Sequence, residues 1–177
     1  MRLPKKIVVI GPESTGKSTL CEQLARQYKT DWVPEYARQY LLSLGRPYDY
    51  DDLLLIAQGQ LEQEDRICAS STMPLVFIDT DMYVMKVWCE FVFGKCHRFI
   101  LDEIVMRKYD AYLLCHTDLP WVPDALREYP DLASRELLFQ MYMDLMINQP
   151  TTWTDIHGGY EERYQRAVSF IGAINGH

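Results

Sequence analysis

The sequence predicts an α/β fold in which helices cover both faces of a five-stranded, mainly parallel sheet. Three observations carry this expectation. The apolar runs KIVVI (residues 6–10), LVFI (75–78) and AYLLC (Ala111–Cys115) are short and unbroken, as strands buried on both faces must be. Segments of helical period separate them, the alternation expected of a parallel sheet. A complete glycine-rich loop, GPESTGKS, links the first run to a helix, and that context is what gives such a motif meaning.

The elements follow in order. The first strand covers residues 6–10, and the first helix Lys17–Tyr28. A short strand is expected at 32–34, then helices at Tyr36–Leu44 and 52–69, the latter with cap candidates among residues 49–52. The third strand ends at Asp79, followed by helices at Met82–Phe93 and 97–108 and a fourth strand at Ala111–Cys115. Residues 117–130 hold three prolines and predict an irregular, mobile connection. A helix at 134–148, a strand at 151–156, a Gly158-Gly159 turn and a helix at 160–174 complete the chain. Ligands of such sheets bind at the carboxyl ends of the strands, so the residues after each strand are the ones to examine for chemistry.

Length and composition narrow the field. The 177 residues, 48% hydrophobic and 24% charged, suit a single soluble domain over 1–177 with a full core. A net charge of −7 argues against nonspecific nucleic-acid or anionic-membrane binding. No stretch approaches the roughly 20 apolar residues that span a bilayer; the densest, Met82–Phe93, is interrupted by Lys86 and Glu90. The basic and apolar start lacks a cleavage pattern and does not predict a signal peptide. Five scattered cysteines without a C-x-x-C pair predict reduced thiols and a cytoplasmic protein. Cys89, Cys96 and His97 match no common zinc spacing. Self-association into a homo-oligomer stays open.

Residues Gly11 to Ser18 satisfy G-x-x-x-x-G-K-[ST]. Backbone donors of Glu13, Ser14, Thr15 and Gly16 and the following helix terminus predict a cradle for ATP phosphates. Lys17 would reach the β- and γ-phosphates, Ser18 would ligate Mg²⁺, and Thr19 follows them in the first turn. Glu13 is awkward, because a carboxylate facing phosphate would be repelled. It must point out of the cradle, toward the acceptor or a neighbouring cation, or be engaged locally. Such a loop serves DNA-dependent recombinase ATPases as well as kinases.

Asp79, delivered by an apolar strand, suits a Mg²⁺ ligand, and Asp81 would sit nearer an acceptor; Asp79-Thr80-Asp81 also suits a helix cap. Glu35, after the second strand, has Arg38 one turn on. Glu35 and Asp81 are the two candidates to take a proton from an attacking hydroxyl, although Glu35 and Arg38 also suit a solvated surface pair. Arg127 and Arg135, in a lid expected at about 117–135, could neutralise charge during transfer while closure excludes water. Trp88 and Tyr83 fall on the acceptor side and suit base stacking or the core.

Taken together, GPESTGKSTL, PEYARQYL, FIDTD, DAYLLCHTDLPWVPDALR and YEERYQRAVSFI resemble the ribosylnicotinamide kinase domain of NadR-type proteins over nearly the whole chain. The resemblance implies a three-layer P-loop NTPase fold of nucleoside-kinase type with a lid. It implies phosphorylation of the 5′-hydroxyl of nicotinamide riboside by ATP-Mg²⁺. It also implies that Gly16, Lys17, Ser18 and Thr19 bind phosphate and metal, with Asp79 at the metal. Glu35 and Asp81 then face the nucleoside, Arg127 and Arg135 belong to the lid, and residues 156–160 lie by adenine. No H-x-G-H motif is present, so adenylyl transfer and repression are not expected. The alternatives are a kinase for another nucleoside or small molecule, a P-loop ATPase, and a nucleotide-dependent switch without an acceptor.

Overall fold

The computed structural model describes residues 4–175. Five strands, β1 (Lys5–Ile10), β2 (Trp32–Val33), β3 (Leu75–Asp79), β4 (Ala111–Cys115) and β5 (Trp153–Ile156), form one sheet in the order β2-β3-β1-β4-β5. Every pairing is parallel. The helices are α1 (Lys17–Tyr28), α2 (Tyr36–Leu44), α3 (Tyr50–Ser70), α4 (Met82–Phe93), α5 (Arg98–Met106), α6 (Leu132–Asn148) and α7 (Tyr160–Asn175). No helix among the described residues is long and apolar enough to cross a membrane.

The unbroken apolar strands serve two cores at once. In β1, Ile7 and Val9 join Leu20 and Leu24 of α1 and Ile171 of α7 on one face. Val8 and Ile10 face the other way, against Val84 and Val87 of α4 and Leu138, Phe139 and Met146 of α6. These four β1 side chains are fully buried, each worth about 1.5–3 kcal/mol of hydrophobic stabilisation. A third cluster, with Leu53, Ile56, Met85 and Ile100, packs α3, α4 and α5 together.

Most boundaries agree with expectation, and the differences have local causes. Helix α3 starts at Tyr50 because Asp49 caps it: its carboxylate accepts from the Asp51 and Asp52 amides while Asp52 answers to the Asp49 amide. This reciprocal cap starts the helix two residues earlier than the expected position 52. Helix α6 likewise starts at Leu132, where Asp131 accepts from the Ser134 amide. The irregular connection therefore ends before Ser134, and the expected lid end at 135 is corrected: Arg135 lies inside α6.

The sheet order positions the site. From β1 the chain goes to β2 at one edge, returns to β3, then crosses β1 to β4 on the other side. Val9 pairs with Asp79, so the ends of β1 and β3 bring the glycine loop and the acidic motif side by side at the crevice where such folds bind ligands.

Candidate active site

The glycine loop is shaped by positive φ angles at Gly11 (138°), Ser14 (57°) and Gly16 (78°). A Cβ on Gly11 would come within 2.6 Å of the Cys115 carbonyl oxygen of β4, so this position combines left-handed backbone with close strand approach. Gly11→Ala is expected to cost more than about 2 kcal/mol, measurable by denaturant unfolding. Helix α1 begins at Lys17 without a side-chain cap at Gly16, which leaves its first amides for an anion. The loop is braced internally: Thr15 Oγ1 and Lys17 Nζ both donate to the Pro12 carbonyl, at 2.7 and 2.8 Å. Ser18 and Thr19 are exposed at the mouth of the same cavity.

Asp79 is fully buried at the end of β3 and accepts a hydrogen bond from Ser18 Oγ. Burial and then the charge of Glu35 push its carboxyl up to about 6, while Lys17 and the Ser18 bond pull it down. One hydroxyl and one carboxylate, both hard oxygen donors, fit a Mg²⁺ ion that keeps waters and phosphate as its other ligands. No cluster of three or more metal-ligating side chains exists among the described residues.

Glu35 stands at the head of α2, makes no cap bond there, and lines the cavity. Thr80 Oγ1 donates to its Oε1 at 3.4 Å. Thr80 has φ 78°, a genuine outlier for a β-branched residue and the kind of strain that collects at functional sites. Gln60, 1% exposed in α3, ties the two acids together: its Oε1 accepts from the Tyr36 amide at 2.7 Å and its Nε2 donates to the Asp79 carbonyl at 3.3 Å. No motif pointed to Gln60; the only signal was an uncharged polar residue on an apolar helix face.

Asp81 does not face the cavity. Its Oδ1 caps α4 by accepting from the Tyr83 and Val84 amides, at 2.9 and 3.3 Å. Its Oδ2 accepts from Tyr112 Oη at 3.0 Å. The residue is 1% exposed, and burial drives its carboxyl up to about 7 against those hydrogen bonds. The expectation that Asp81 meets an acceptor is therefore corrected; the cap reading of the motif is the one the geometry follows. Tyr83 packs on Tyr112, away from the cavity lining.

The connection after β4 lies across the cavity. Asp124 pairs bidentately with Arg38, at 3.2 and 2.8 Å, so Arg38 serves this segment rather than Glu35. Glu128 accepts from Tyr48 Oη at 2.8 Å, and Trp88 Nε1 donates to the same oxygen at 3.0 Å. Arg127 lines the cavity. Arg135 does not: it is 5% exposed and its Nη2 donates to the Thr117 and Leu119 carbonyls, at 3.1 and 3.0 Å. It braces the root of the segment, which corrects its expected place beside phosphate.

Glu13 turns its carboxylate away from the loop interior to the same segment, where Trp121 Nε1 and the Tyr129 and Glu128 amides donate to it. A second bracing arginine was missed by the sequence reading. Arg163 of α7, 3% exposed, donates to the carbonyls of Thr15 (2.9 Å), His116 (2.8 Å) and Gly158 (2.7 Å), and to the Asp118 carboxylate. Cys96 and His97 are engaged elsewhere, with the His97 ring stacked on Tyr50 at 3.7 Å.

A single cavity of about 370 Å³ runs from the glycine loop, Ser18 and Asp79 past Glu35. It continues into a chamber walled by Trp32, Tyr48, Trp88, Phe91, Tyr129 and Tyr142. A volume of this size suits one small aromatic molecule beside a phosphate chain.

Comparison with known proteins agrees with this geometry. A family model described as an AAA domain matches residues 6–163. The trifunctional NAD biosynthesis/regulator protein NadR of Salmonella typhimurium (strain LT2) is 27% identical over 177 residues, covering 97% of this chain and 43% of that protein. Its Escherichia coli K12 counterpart has the same identity and coverage. The chain thus spans less than half the length of these relatives. Among solved structures, a NadR protein in complex with NR superposes with a TM-score of 0.81 at 23% identity, over 99% of this chain and 50% of that one. A thymidylate kinase from Candida albicans superposes at 0.68 with 16% identity, over 98% and 93%. The fold is that of P-loop nucleoside and nucleotide kinases.

Proposed function

The chain belongs to the AAA domain family, and on that premise we propose that it transfers the γ-phosphoryl group of ATP to the 5′-hydroxyl of nicotinamide riboside, giving nicotinamide mononucleotide. The observation that carries this reading is the continuity of the cavity. The phosphate loop opens directly onto a chamber with six aromatic walls and a carboxylate, Glu35, that makes no cap bond and accepts from Thr80 Oγ1 at 3.4 Å.

In this reading the loop amides and Lys17 hold the donor phosphates, and Ser18 and Asp79 hold the metal. When bound, Mg²⁺ would neutralise charge on the β- and γ-phosphates. Glu35, carried next to Asp79 by Gln60, accepts the proton or orients the hydroxyl. The segment over the chamber acts as a lid that excludes water. The nicotinamide ring of the riboside is cationic, and aromatic faces with nearby carboxylates favour a cation over a neutral base. The relatives named for NAD biosynthesis and the structural match holding NR support the same acceptor.

An acceptor panel tests the proposal. With ATP and Mg²⁺, nicotinamide riboside is expected to give a phosphorylated product by mass spectrometry. Neutral nucleosides such as adenosine and thymidine should turn over at least about 100-fold less efficiently, a gap of the size that a charge-matched site can create. Preferred use of a neutral nucleoside would replace the acceptor, and ATP hydrolysis without any phosphorylated product would remove the kinase reading.

A further inference from the structure

We propose that Glu13 is a positioning residue that grips the backbone of the segment after β4 and so determines where Arg127 stands in the cavity. Its kinetic consequences rest on the phosphoryl-transfer reading; its structural consequences do not.

Glu13 sits within the glycine loop, beside Ser14 and its left-handed backbone. Its Oε1 accepts from Trp121 Nε1 at 3.1 Å and from the Tyr129 amide at 2.7 Å, and its Oε2 accepts from the Glu128 amide at 3.0 Å. Ser14 Oγ accepts from the Val122 amide at 3.0 Å. The Val122 carbonyl in turn accepts from Arg127 Nη1. The two loop side chains therefore hold residues 121, 122, 128 and 129, and Arg127 lies between the held points with its guanidinium tied back to Val122.

The chemistry of the contact requires a carboxylate. Three donors converge on one group, and an ionised carboxylate offers acceptors on both oxygens. Glutamine would turn its NH₂ onto at least one N–H, and aspartate would fall a methylene short. On the far side the segment is held by Arg38–Asp124 and by Tyr48–Glu128. One connection is thus fastened to the phosphate loop on one flank and to the aromatic chamber on the other, so that Arg127 and chamber closure move together. The carboxylate inside a polyanion-binding loop is explained by its partners: it serves the segment above, not the phosphate below.

The test combines exchange and kinetics on the intact chain. In Glu13→Gln, the Glu128 and Tyr129 amides are expected to exchange hydrogen at least about tenfold faster, while amides of β1 and β4 keep their protection. Trp121→Phe, which removes one of the three bonds, should show a smaller change in the same direction and serves if the first variant folds poorly. In turnover, Glu13→Gln should lower kcat about tenfold with the KM for ATP little changed, and raise acceptor-independent ATP hydrolysis relative to transfer. Adding Arg127→Ala to Glu13→Gln should cost no more than Arg127→Ala alone, because the two act through one element. Unchanged exchange in both variants overturns the grip, and fully additive losses overturn the action through Arg127. The exchange measurement needs no acceptor, so it decides the grip even if nicotinamide riboside is not the substrate.

Discussion

Glu35→Gln is expected to lower kcat by about 10²–10⁴-fold, the range for removing a positioned general base, with ATP affinity close to that of the unaltered protein. The substitution keeps the shape of the side chain and its contact with Thr80 but removes the proton acceptor. In the proposed reading the glycine loop and the start of α1 hold ATP, and Glu35 belongs to neither, so ATP binding should survive. The companion measurement separates the two acids that the sequence left equal. Asp81→Asn should keep kcat within about threefold, because the loss of a cap and buried bonds acts on stability rather than on the reacting atoms. Asn retains an oxygen for the α4 amides and an NH₂ group toward Tyr112. Steady-state kinetics of both variants at saturating ATP and acceptor checks the pair. A large loss in Asp81→Asn with a small one in Glu35→Gln would reverse the assignment.

Arg163→Ala is expected to destabilise the protein by roughly 3 kcal/mol, the cost of stripping a buried guanidinium from its acceptors. For a chain of this size that lowers Tm by roughly 6–12 °C. The side chain is 3% exposed and ties carbonyls from three places to one helix: Thr15 in the glycine loop, His116 after β4 and Gly158 after β5. Removing it leaves the Thr15 carbonyl without that donor, so ATP affinity should fall by at least about tenfold as the loop loosens. Arg163→Lys should recover only part of either loss, since one ammonium on a flexible stem cannot reproduce the planar fork. Thermal melts with and without ATP, and titration with a fluorescent ATP analogue, distinguish loop loosening from general destabilisation. Equal ATP affinity in the Ala variant would limit Arg163 to a stability role.

These residues mark where the sequence was legible and where it was not. The strands and the phosphate loop were readable because their signals are local. A β-branched run buried on both faces has no polar positions, and Gly11 and Gly16 stand where the backbone turns left-handed. Asp79 was readable because its strand delivers it. Asp81 was not: Asp-Thr-Asp before a helix is the same string whether the second acid caps or faces a ligand. The deciding partner, Tyr112, is 31 residues away. Arg135 misled for a related reason. It follows the irregular stretch, but Asp131 starts α6 early and turns the guanidinium inward. Gln60 belongs to no motif, and Arg163, although it lies in the YEERYQRAVSFI segment, had no role assigned to it; the importance of both arises where α3 and α7 meet the ends of the sheet.

The grip of Arg163 on Thr15 spans 148 positions of the chain. During synthesis the phosphate loop emerges 148 positions ahead of the residue that steadies it. Nearly the whole of α/β wrapping must be synthesised before the loop acquires its support. A nascent chain therefore carries a complete glycine-loop motif through the synthesis of those intervening residues without the brace that holds the loop, and the loop takes its supported shape only once α7 has been made.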